Sequence, residues 1–162
     1  MRVKGYTLIE ILVVLTVIGI LFGVGYASYR NFSRRQNLVG LAKQIEGDLR
    51  LAQQMAMSGE KPAECDGYPL QGVRFGITTS SPFNYKIRTV CGPNPNDLPV
   101  IKEYYFPDGI SFDFTNFQTN PVIFKVLGEG TNIPSGATDQ LIIKDQFGNT
   151  ATITIDSGGS IR

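Results

Sequence analysis

The order of apolar and polar positions divides the chain into three stretches. From Tyr6 to Tyr29 run 24 residues that are almost wholly apolar, with Glu10 the single charge among them. As a helix such a run is about 36 Å long, against about 30 Å for the hydrocarbon core of a bilayer. Beyond it Leu38, Leu41, Ala42, Ile45, Leu49, Ala52 and Ala56 recur at steps of three and four and trace one apolar face. Arg34, Arg35, Lys43, Glu46, Asp48 and Arg50 read as lying mainly off that stripe, and Gly59 and Pro62 supply stop signals. The spacing predicts one helix from about Tyr6 to Ser58. Its first half faces lipid or neighbouring subunits, and its second packs on a domain.

After Pro62 the period falls to two. Tyr85 to Val90 and Ile110 to Phe114 alternate like strands with one wet face, and Thr150 to Ile155 alternates again behind a Phe147-Gly148-Asn149 turn. Val122 to Leu127 and Leu141 to Lys144 are apolar enough for central strands, and Val73 to Ile77 and Ile101 to Phe106 add two more. Gly92 to Pro99 and Glu129 to Ala137, rich in Gly, Pro, Asn and Ser, read as exposed loops. A helix followed by strands is an α+β arrangement, with a mostly antiparallel sheet laid on the helix. The expected divisions are an apolar helix over 6–29, its amphipathic continuation over 30–61, and a β-rich globular domain over 62–162.

Composition narrows the chemistry. With 162 residues there is material for one domain and an extra element, and ten Phe and seven Tyr supply its core. The formal charge of +1 argues against a generally nucleic-acid-binding surface. The absence of histidine excludes Ser-His-Asp and Cys-His catalysis and removes the commonest metal ligand. Cys65 and Cys91 are too few for a cysteine-based zinc site. In an exported domain they read as one disulfide, worth about 3 kcal/mol in the chain-entropy model, and in a cytosolic one as two thiols. Asp108, Asp113, Asp139 and Asp145 are scattered in turn-like settings. Gly128-Glu129-Gly130 lacks the third glycine of a nucleotide loop, and no loop has calcium-ligand spacing. No enzyme, metal or cofactor is expected.

The short basic segment Met1-Arg2-Val3-Lys4-Gly5 ahead of the apolar run places the amino terminus in the cytoplasm by the positive-inside rule and the rest outside. A secretory signal would share this layout, with Gly25-Tyr26-Ala27 as a small-residue cleavage site. A plain anchor fits the length but gives Glu10 no purpose. A carboxylate at mid-bilayer costs about 2.5–3.5 kcal/mol on insertion scales, so a partner is expected, with snorkelling to the membrane edge the simpler alternative.

Lys4-Gly5-Tyr6-Thr7-Leu8-Ile9-Glu10, followed by Ile11-Leu12-Val13-Val14-Leu15, resembles the prepilin signature of type IV pilins and type II secretion pseudopilins. The aromatic at the cut is Tyr6, where Phe is more usual. The resemblance implies a leader of residues 1–5, removed by a prepilin peptidase after Gly5, and methylation of the new amine on Tyr6. Trimming leaves 13 basic against 14 acidic side chains. It further implies that Glu10 lies near the Tyr6 amine of a neighbouring pilin subunit within an apolar bundle. Gly19 and Gly23, a small-xxx-small pair, either let helices approach closely or weaken the helix. In the family the glycine at the place of Gly19 begins a segment that unwinds on assembly. Ala27 stands where many pilins carry a kinking proline.

Ile45-Glu46-Gly47-Asp48-Leu49-Arg50-Leu51-Ala52, with Ala151-Thr152-Ile153-Thr154-Ile155 and Gly159-Ser160-Ile161-Arg162, is similar to the GspH/FimT group of minor pilins. That implies a low-abundance subunit near a filament tip, held by inner-membrane lipid until assembly into a periplasmic or surface filament, that primes assembly or contacts secreted cargo. Some members bind DNA through two carboxy-terminal arginines. Here Ser160 occupies the first place and Arg162 the second, so DNA is an alternative partner, and a membrane-tethered binding domain a further one.

Overall fold

The computed structural model describes residues 7–65, 67–92 and 100–162, without the side chains of Val24, Ala27 and Glu64. The chain separates into two compact units, residues 1–37 and Leu38–Arg162. Helix α1, Leu8–Ser58, supplies the first unit and opens the second.

In the second unit the helical stripe is the one the spacing predicts. Leu38, Leu41, Ala42, Ile45, Leu49, Ala52 and Ala56 are all buried. The chain continues in strands β1 (Leu70–Ile77), β2 (Asn84–Cys91), β3 (Val100–Tyr105), β4 (Ile110–Asp113), β5 (Val122–Lys125), β6 (Thr138–Asp145) and β7 (Thr150–Asp156), and the stripe shares one hydrophobic core with their inward side chains. All strand pairs are antiparallel, which makes the unit α+β, a pilin-like arrangement. The strands form two sheets, ordered β3-β2-β1-β5 and β4-β6-β7, where one was expected. Alternate side chains from both enter a single core: Val73, Phe75 and Ile87 from the first, Leu141, Ile143, Ile153 and Ile155 from the second.

An aromatic seam joins the sheets. Tyr85 stacks on Tyr104 at 5.5 Å between ring centroids, Tyr104 meets Phe106 at 5.3 Å, and Phe106 meets Phe112 at 4.6 Å. Edge-to-face and stacked pairs of this kind add about 0.5–1.5 kcal/mol each beyond their area burial.

Two details correct the strand reading. The apolar run from Val122 was expected to be a central strand; β5 lies at the end of its sheet and stops at Lys125, and Val126–Gly128 forms a short 3₁₀ turn. Its apolarity comes from Val122 and Phe124, both buried in the core. The outer side of β5 is covered by its own loop: the Asn132 side chain accepts from the Ile123 N–H (2.7 Å) and donates to the Pro121 carbonyl (3.0 Å). On the other side β1 approaches so closely that a Cβ at Gly72 would stand 2.2 Å from the Phe124 carbonyl, which only glycine allows.

Candidate functional site

The first unit begins with a cap. The Thr7 hydroxyl accepts the backbone N–H of Glu10 (3.3 Å), and Thr7 followed three residues later by Glu10 is a capping-box sequence. Glu10 is therefore both the expected assembly carboxylate and the first-turn acid that suits a helix N-terminus. The Thr-x-x-Glu spacing was legible in the sequence and would have fixed the helix start. Gly5 and Tyr6, the expected processing residues, lie outside the described residues, as does the leader.

From Leu8 to Phe22 the large apolar side chains stand 43–84% exposed. The most apolar 18-residue window of α1 has a mean hydropathy of 2.6 and none of it is buried, so the helix is long and apolar enough to cross a membrane. Gly19 and Gly23 are helical, with nothing within 4 Å of where a Cβ would stand, so they leave an open notch on this surface. Near the end of the apolar run the Arg30 guanidinium lies over the Tyr26 ring at 5.8 Å, a pairing suited to a membrane–water boundary.

In the second unit the structure joins Cys65 to Cys91, with Cα atoms 5.5 Å apart. The bond ties the turn after α1 to the end of β2. Asp48, expected to lie mainly off the apolar stripe, is 6% exposed. It accepts hydrogen bonds from the Tyr85 hydroxyl and from Lys102 Nζ, the latter at 2.6 Å. Burial first, and then the Asp48 carboxylate, push the Tyr85 phenol above its ordinary range. Of the four scattered aspartates, Asp113, Asp139 and Asp145 make structural contacts. Asp113 accepts from Lys144 Nζ (2.7 Å) and the Thr115 hydroxyl (2.6 Å), which hold its carboxyl below the usual carboxylate range. Asp139 accepts the Thr119 N–H (2.7 Å), and Asp145 Oδ1 accepts the Phe147 and Asn149 N–H groups in the β6–β7 turn (2.8 Å each). Among the described residues no group of three or more Cys, Asp or Glu is placed to hold a metal ion.

Arg162 is exposed, and its backbone pairs with Thr154 through two hydrogen bonds of 2.8 and 3.0 Å. The Ser160 N–H donates to Asp156 Oδ1 (2.8 Å), which sets a carboxylate beside this end of the chain.

Residues 1–26 match the family model of the prokaryotic N-terminal methylation motif. Neither the curated proteins nor the solved structures contain a match. The motif supports a prepilin-processed chain of the type IV pilin-like kind, handled by a prepilin peptidase, anchored at the inner membrane and assembled with other pilins. The role of such a chain is structural.

Proposed function

We propose that this protein is a minor pilin or pseudopilin, cut after Gly5, methylated on Tyr6 and held by residues 6–29 with its β-rich domain outside the cytoplasm. The single observation that carries this reading is the methylation motif over residues 1–26, continuous with an apolar helix long enough to span a bilayer. Cleavage would leave a positive amine one residue before the Thr7 cap. There it opposes the positive end of the helix dipole. A carboxylate from the next subunit offsets both that repulsion and its own desolvation, which gives Glu10 its purpose and fixes the stagger of adjacent helices. Gly19 and Gly23 supply the surface on which those helices come close. The likeness of residues 45–52, 151–155 and 159–162 to the GspH/FimT group favours a minor, tip-proximal subunit over the bulk subunit.

Mass spectrometry of the terminal peptide from washed membranes and from sheared filaments tests the reading. A methylated Tyr6 terminus is expected in one or both fractions; its presence in filaments marks a pilus and its restriction to membranes a pseudopilus or an initiation complex. A terminus at Ser28, or an uncut Met1, would remove the prepilin reading. DNA binding that weakens with salt and is lost on Arg162→Ala would replace the structural role with that of a DNA receptor.

A further inference from the structure

A cavity of about 340 Å³ lies in the globular unit, clear of the expected processing, assembly and DNA-contact residues. Its walls are Met55 and Ser58 of α1, Glu60, Pro62, Val73 of β1, and Val100 and Ile101 at the start of β3, and Thr89 of β2 also lines it. Val73 and Thr89 are register partners and are 0% and 2% exposed, so they form its deepest part. An engineered apolar cavity of about 150 Å³ holds benzene. This one has room for a substituted ring or a short acyl chain.

The Thr89 hydroxyl is buried with no hydrogen-bond partner among the described residues. A hydroxyl in that state has given up water for nothing in return, whereas valine has nearly the same shape and carries no such penalty. The position therefore holds a group that weakens the folded chain unless something entering the cavity meets it. Ser58 Oγ is already engaged by the Met55 carbonyl and the Glu60 N–H, so Thr89 is the buried polar group left for a guest. Apolar surface with a few convergent polar groups is the usual make-up of a small-molecule site. We propose that this cavity binds a small, mostly apolar molecule that ends in one hydrogen-bonding oxygen or nitrogen. Its body lies against Met55, Val73, Val100 and Ile101 and its polar end on Thr89 Oγ1.

The probes are para-cresol and toluene, of nearly equal shape and differing by one hydroxyl. Each is titrated into the full chain in the same detergent micelles, so that loss of probe to detergent is common to all variants. The readout is the methyl NMR signals of Val73, Thr89, Val100 and Ile101. In the wild type para-cresol shifts these signals saturably and binds about three- to ten-fold more tightly than toluene, the worth of one neutral hydrogen bond. Thr89→Val abolishes the preference and unfolds no earlier than the wild type, while Thr89→Ser keeps the preference. The proposal is overturned if no saturable shift occurs, if the preference survives in Thr89→Val, or if Thr89→Val unfolds earlier, which would show that the hydroxyl already has a partner in the protein.

Discussion

A carboxylate that is 6% exposed has to be met by donors, and Asp48 is met by two that arrive from strands 37 and 54 positions further along the chain. Asp48→Ala would leave the wholly buried Tyr85 hydroxyl without its acceptor, while Lys102, its side chain 40% exposed, turns to water. The phenol therefore sets most of the cost, about 2–3 kcal/mol, read as a lower denaturant midpoint at unchanged slope. Tyr85 carries a second expectation. Its folded pKa lies above the unfolded value, so the stability it contributes is complete below about pH 10 and is lost as pH rises through the folded value. Subtracting the phenolate absorbance titration of Tyr85→Phe from that of the wild type should show no ionisation until the chain unfolds. A difference curve centred near pH 10 would contradict the buried, Asp48-bound phenol. Asp48 was half legible in the sequence. It stands three residues after Ile45 and four before Ala52, on the stripe itself, but its charge argues for solvent and its partners come from strands whose positions the sequence does not reveal.

At the scale of the element, α1 shows what periodicity does and does not reveal. The buried stripe from Leu38 to Ala56 was readable because a helix facing a core needs apolar residues every three to four positions. The first half has no such stripe; being apolar all round, it says only that its surroundings are not water. Glu10 is the exception within it, and two substitutions separate its charge from its place in the capping sequence. Glu10→Gln and Glu10→Ala both leave the Thr7 hydroxyl and the backbone N–H at residue 10 in place. Both should insert into the membrane and be trimmed normally, yet fail to enter filaments in a shearing assay. Normal filament incorporation of the glutamine variant would show that the carboxylate charge is not what sets subunit stagger. The edge strands divide in the same way. β5 was over-read because apolarity reports burial of a face, not the number of strand neighbours.

For the whole molecule, the sequence announced α+β and the approximate strands but not their division into two sheets. Hairpin β6–β7 was foreseen from its turn, since Gly148 at φ 86° and the Asp145 carboxylate act locally. The placing of β4 beside β6, not beside β3, sets Phe112 opposite Ile143, a pairing across a long stretch of chain for which no local pattern exists. The terminal methylation motif was legible for the opposite reason. It is read by a peptidase as a linear stretch, so the information it carries has to be contiguous.

The bond between Cys65 and Cys91 closes a ring that contains both β1 and β2 together with the exposed loop from 78 to 83 that links them. A protease that finds that loop therefore severs the chain without dividing the molecule. The two pieces stay covalently attached, migrate as one species on a non-reducing gel and part only when a reductant is added. That connection can thus be nicked at its exposed residues 79–82 while the helix and the final strands remain one object.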